Sequence, residues 1–170
     1  MWSDPDPPET FRPQHPLVRE LSEDGLHGWG SLYDRLSGRL KVTIDGETMA
    51  ATQANNRLGS TDGAIRTAAL AGLETAWEAQ EERCAQSLSH IVGWRQVLND
   101  RRGVDELADT LSANRLSRDT LEAMMASAAR QAPILTRYMS AKAKLLGKER
   151  LGWEDLAAPL DNPNSAQGWS

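Results

Sequence analysis

The apolar residues between positions 117 and 146 recur in steps of three and four, and this spacing constrains the fold more than any other feature of the chain. Leu121, Met124, Met125, Ala128, Ala132, Leu135, Tyr138, Met139, Lys142, Leu145 and Leu146 fall toward one side of a helical period, which predicts one long amphipathic helix. Ser117 is placed to cap its start, with Asp119 in the first turn, and Gly147 can take the left-handed conformation that ends it. Pro133 removes one backbone hydrogen bond in the middle, so a kink there or a short break after Arg130 is expected.

A second long helix is expected over residues 62–98, capped by Ser60 or Thr61. Ile65, Ala69, Gly72, Leu73, Ala76 and Trp77, then Cys84, Leu88, Ile91, Val92 and Arg95, mark its buried side. At roughly 1.5 Å per residue it would extend on the order of 50 Å, so it needs a partner along its length. The 117–146 helix is that partner, joined through a polar turn at 99–103 and a short helical segment at 104–113. Antiparallel packing at about 8–10 Å between axes follows from so short a connection.

Between the tail and these helices, Trp29, Leu32, Tyr33, Leu36 and Leu40 predict a shorter helix, and two β-prone runs flank Asp45-Gly46 within residues 41–49. Asp-Gly tolerates positive φ at both positions and predicts a two-residue hairpin. A hairpin alone is marginal, so it should lie against helices. Residues 50–58 predict a short helix closed by Gly59. The fold class is therefore mainly all-α, with long antiparallel helices and one small β-hairpin. Residues 1–28 form a Pro-rich, largely extended start, with Pro5, Pro7, Pro8, Pro13 and Pro16 excluding a helix before one short turn near Leu17, Val18 and Leu21. Residues 29–160 form the helical lobe, and 161–170 a frayed tail.

Chemistry-bearing groups are sparse. The histidines are His15, His27 and His90, and none pairs with another at the i, i+4 spacing that aims two imidazoles at one zinc ion. His90 and Glu82 stand about 12 Å apart along a helix, too far to chelate one ion. Surface or capping roles account for all three. Glu74, Glu78, Glu81 and Glu82, beside Arg83, read as a solvated acidic face, because acid–base catalysis needs carboxylates held in a cleft with divergent pKa values. Gly28 and Gly30 flank Trp29 without a phosphate-cradling pattern, and no Gly-x-Ser-x-Gly elbow occurs. Met124, Met125 and Met139 read as core filling. Cys84 is the single cysteine, so no internal disulfide forms, and it reads as a buried, inert thiol. No catalytic, cofactor-binding or metal-binding residue is assigned.

The net charge of −5 argues against nucleic acid or an anionic membrane as partner. Eight basic residues against three acidic ones between 115 and 150 read as a solvated helix face, with Lys142, Lys144, Lys148 and Arg150 favouring the negative helix end. No run is long and apolar enough to span a membrane, and the start carries acids and prolines where a signal peptide needs a basic start and an apolar middle. The expected setting is cytoplasmic.

The order of residues nevertheless has a likeness. Tyr138, Lys142, Leu145, Leu146 and Gly147, followed by Leu151, Trp153, Asp155, Leu156, Ala158, Pro159 and Leu160, resemble oligoendopeptidase F and its relatives among the zinc metallopeptidases. In that family a helix ending in a lysine-rich turn and Leu-Gly leads through a Trp/Tyr-x-Asp-Leu-x-Ala-Pro segment into the catalytic lobe. Trp29, Leu32, Tyr33, Leu36, Asp45-Gly46, Arg66, Ala69 and residues 111–115 also fall in the family's order. The resemblance covers most of residues 29–160. It implies part of the helical lobe of a peptidase that hydrolyses short peptides with zinc. The family's zinc-binding His-Glu-x-x-His is missing here, so the chain is expected to hold no zinc and to be inactive alone. The resemblance implies as partner the missing catalytic lobe, or self-association where apolar stripes stay uncovered. The other reading is a free-standing helical interaction module derived from that lobe.

Overall fold

The structure is a computed structural model that describes residues 15–160. The expectations for the proline-rich start before His15 and for the 161–170 tail lie outside the described residues. The fold is mainly helical with one small antiparallel hairpin, the class that the sequence spacing implies. In chain order the elements are α1 (Pro16–Ser22), a π turn (Glu23–His27), α2 (Gly28–Arg39), β1 (Lys41–Ile44), β2 (Glu47–Ala50), α3 (Ala51–Arg57), α4 (Gly63–Glu78), α5 (Glu81–Arg102), α6 (Glu106–Ala113), α7 (Arg118–Leu145) and a 3₁₀ turn (Trp153–Asp155). No helix of the described residues is long and apolar enough to cross a membrane.

Two compact units divide the chain. The first comprises Met1–Gly38 and Gln80–Ala126, the second Arg39–Ala79 and Ser127–Ser170, so that α7 begins in one and ends in the other.

In the second unit the hairpin is the seed of the core. Asp45 and Gly46 have φ of 51° and 82°, the pair of positive values that a two-residue turn matched to strand twist requires. The register pairs Val42 with Met49 and Thr43 with Thr48. Alternation then turns Val42, Ile44 and Met49 inward, onto Ala54 of α3 and Ala69 and Leu73 of α4. Gly72 lets α4 approach the strand closely: a Cβ there would stand 3.0 Å from the Thr43 carbonyl oxygen and from the Val42 and Ile44 side chains. Gln53 Oε1 accepts from the Ala50 amide at 3.1 Å and ties the strand end to α3.

In the first unit the π turn lies against α5. A Cβ on Gly25 would come within 2.5 Å of the Trp94 ring, so only glycine allows the turn this close to the indole. Trp29 stacks on His90 with ring centroids 4.1 Å apart. Arg102 donates to Asn99 at 3.1 Å and Asp109 at 2.8 Å, fastening α6 to the end of α5. Asp105 caps α6 by accepting from the Leu107 and Ala108 amides.

Several local expectations change. The helix expected over 62–98 is two, interrupted at Ala79 and Gln80. An unbroken helix would set Glu74, Glu78 and Glu82 at i, i+4, where like charges repel. The break instead places Glu81 and Glu82 in the first turn of α5, at the positive end of its dipole. The cap of α4 is Asp62, whose Oδ1 accepts from the Ala64 amide at 2.8 Å, and not Ser60 or Thr61. Ile65, Leu88 and Val92 are exposed, and Cys84 is only half-buried. On α5 the buried side chains are instead Ser87 and Asn99, because the inward face carries Ser87, Trp94 and Leu98 and turns Leu88 and Val92 to solvent.

Helix α7 has the ends read from its sequence. Ser117 Oγ accepts from the Thr120 amide at 3.1 Å, and Gly147 at φ 68° closes it, with the Lys148 amide donating to the Ala143 carbonyl at 2.9 Å. The helix runs through Pro133 without the break after Arg130. Every residue from 122 to 141 is exposed, and burial resumes at Lys142 and Ala143.

Candidate functional site

The densest concentration of charge buried within one unit centres on Asp155, whose side chain is 0% exposed. The carboxylate sits in the 3₁₀ turn, where the Gly152 amide donates to Oδ2 at 3.0 Å. Arg66, on the inner face of α4, donates from Nη2 to Oδ1 at 2.9 Å and from Nη1 to the carbonyls of Ser60 and Thr61 at 2.8 and 3.0 Å. Lys148, just past the stop of α7, donates to Oδ2 and, at 3.3 Å, to Glu154 Oε1. Lys142, from the last turn of α7, is buried and donates to the Leu156 carbonyl at 2.7 Å. The Ala158 amide donates to the Asp155 carbonyl at 3.0 Å, and Ala158 is buried behind it. Three separate stretches of chain therefore meet at one carboxylate.

The electrostatics fix what this cluster can do. Burial pushes the Asp155 carboxyl up, but the bonds from Lys148, Arg66 and the Gly152 amide outweigh it and hold the pKa down at about 2. The Lys148 ammonium is raised in turn, chiefly by its bond to Asp155. A carboxylate that acidic, with both oxygens occupied, is a poor proton acceptor at neutral pH. The cluster is a clamp that locks residues 152–158 onto α4 and the end of α7. Arg66 Nε is buried without a hydrogen-bond partner among the described residues, so the guanidinium is held by its two terminal nitrogens alone.

Beside the clamp, Leu135, Met139 and Ala143 of α7 face Leu151, Trp153 and Leu156 across an open groove of about 590 Å³. Trp153 is 79% exposed. In the first unit, Leu17, Leu21, Trp94 and Val97 line a smaller apolar hollow of about 370 Å³.

The residues weighed from the sequence do not converge. His15 caps α1 through Nδ1, which accepts from the Leu17 amide at 3.3 Å. His90 lies flat on Trp29, and His27 is exposed. Glu74, Glu78, Glu81 and Glu82 are all exposed. Among the described residues, no three of the His, Cys, Asp and Glu side chains are grouped to hold a metal ion. Met124, Met125 and Met139, read as core, are exposed. Lys142 and Lys148, read as part of a solvated basic face, are instead one buried cation and one arm of the clamp.

Sequence reasoning missed the ion cluster. Arg66 and Asp155 lie 89 positions apart, and no local period joins them. The one signal was that Arg66, Lys142, Asp155 and Ala158 all figure in the family resemblance. No family model, curated protein or solved structure matches the chain.

Proposed function

We propose that this chain is a helical lobe of the oligoendopeptidase F kind, a hydrolase scaffold that lacks the family's zinc site and does not cleave peptides by itself. The observation that carries the reading is that four of the residues behind the resemblance are buried together, while Tyr138, Leu145, Trp153 and Leu156 of the same set are exposed. Arg66, Lys142, Asp155 and Ala158 are all buried and all take part in, or back, one clamp. Residues that hold a fold are those that a lobe would share with its relatives after the chemistry is removed. In this reading the clamp fixes the Trp153-to-Leu160 segment, which in the family leads into the catalytic lobe, and the setting is cytoplasmic. Zinc belongs to the full-length family, whose paired histidines this chain does not supply.

The second reading, a free-standing helical interaction module, is favoured by the bare face of α7, because a long exposed apolar stripe marks a contact surface. Two measurements separate them. Purified chain with added zinc should not cleave a quenched fluorescent peptide; turnover lost on His90→Ala would reverse both readings. The adjoining coding sequence should supply a His-Glu-x-x-His segment. A polypeptide carrying that segment should bind the chain and gain zinc-dependent hydrolysis, whereas its absence leaves the module.

A further inference from the structure

The hairpin leaves a row of backbone groups open along β1. In a two-residue hairpin the pair that flanks the turn, here Ile44 and Glu47, exchanges both of its backbone bonds, and the pairs beyond it alternate. Val42 therefore bonds Met49 across the ladder, whereas Lys41 and Thr43 turn their N–H and C=O groups away from β2. No other backbone group among the described residues bonds them. Helix α4 borders this edge, because Gly72 lets it come so close that a Cβ there would stand 3.0 Å from the Thr43 carbonyl oxygen. An open slot of about 490 Å³ runs between them, walled by Lys41, Thr43 and Asp45 and floored by Ala68, Ala71 and Thr75. We propose that this slot takes an extended peptide segment of another protein, which adds to β1 as a third, antiparallel strand. The inference rests on the second unit alone and stands whether or not the family reading holds.

The backbone selects the class of occupant. Alternating donors and acceptors along a strand edge are matched by a second extended backbone, and the main-chain bonds then supply affinity while alternate side chains supply specificity. Antiparallel order is the more stable per residue.

Side chains and charge narrow the sequence. Residues of the added strand opposite Val42 and Ile44 turn inward over α4, and those opposite Lys41 and Thr43 lie on the solvated face. The inward side chains must be small, because α4 stands close to the edge. The lining carries two charges, Lys41 at one end and Asp45 at the other. An antiparallel segment therefore sets a basic residue at its N-terminal end beside Asp45 and an acidic one at its C-terminal end beside Lys41. Charge and spacing together describe a stretch of about five residues, in the order basic, small, any, small, acidic.

The probe is the capped peptide acetyl-Arg-Ala-Val-Ala-Glu-amide, titrated to about 1 mM into the isotope-labelled whole chain and followed by backbone amide shifts. Amides of Thr43 and Ala71 should shift and saturate, while those near His90 stay in place. The central valine pairs with Thr43, so its N–H faces β1, and the alanine N–H groups face away. N-methylation of the valine should therefore weaken binding about tenfold or more, since it removes a main-chain bond and adds bulk at the edge. N-methylation of the first alanine should change it little. Position 71 is exposed, so Ala71→Leu should fill the slot and block the peptide with the fold intact. Lys41→Glu should weaken binding, and a peptide ending in lysine should restore it. No shift at Thr43, or equal tolerance of the two N-methyl groups, overturns the proposal. Shifts at this edge that follow dilution of the chain and ignore the peptide also overturn it, and assign the edge to a second copy.

Discussion

Asp155 shows how one side chain can carry a tertiary contact. Removing its charge strands Arg66, a guanidinium whose remaining partners are two carbonyls. Breaking a buried pair from one side costs about 3–5 kcal/mol, so Asp155→Asn should lower stability by that order in a urea titration. The pH dependence has a definite sign. A carboxyl held at about 2 against an ordinary 3.8 adds stability that is complete above the ordinary value and disappears as pH falls toward 2. The wild type should lose roughly 2 kcal/mol across that window, and Asp155→Asn should lose visibly less. Gly25 gives a second case. Alanine in a helix gains about 0.5–1 kcal/mol over glycine, but the new Cβ would meet the Trp94 ring at 2.5 Å. Overpacking costs about 1–3 kcal/mol, so Gly25→Ala should be net destabilising, and a change in Trp94 fluorescence should accompany it. Neither residue was legible in the sequence as critical. A glycine against an indole 69 positions on, and a carboxylate against an arginine 89 positions back, leave no periodic trace.

Elements were legible wherever the signal was local. Ser117 and Gly147 bound α7 as their chemistry requires, and Asp45-Gly46 makes the hairpin. The hairpin turn should be sensitive accordingly: Gly46 has φ 82° with open space around it, so Gly46→Ala pays backbone strain alone, of about 1 kcal/mol. The midpoint of thermal unfolding should fall by a few degrees, and a fall no larger than for an exposed helical alanine would show that the turn relaxes. Two elements were misread, for different reasons. Ala79 and Gln80 are good helix formers, so the residues at the break between α4 and α5 do not announce it; the local signal is the like-charge spacing of Glu74, Glu78 and Glu82 around it. The phase of α5 was taken from Leu88 and Val92, but its packing is set by Trp94 against Gly25 and His90 against Trp29. Periodicity reports a preference for burial, and a short chain with few partners need not satisfy it.

At the scale of the molecule, the division into two units separates two kinds of interior. The second unit has an aliphatic core, Val42, Ile44, Met49, Ala69 and Leu73, with the Asp155 clamp beside it. The first has few buried apolar side chains and relies on ring contacts and the Arg102–Asp109 pair. Regions with fewer buried apolar contacts open at lower free energy. Amide hydrogen exchange should therefore find the slowest amides at Val42, Ile44 and the Ala69-to-Leu73 turn of α4. Amides of α5 near His90 should exchange sooner. Asp155→Asn sharpens the test, because its cost falls on the unit that contains it. Protection should drop at Val42 and Leu73 by a factor of about a hundred to a few thousand, corresponding to the loss of about 3–5 kcal/mol, while protection near His90 changes little. If the variant instead lowers both sets of amides equally, the two units open as one, and the clamp stabilises the whole chain and not only the hairpin and the helices around it.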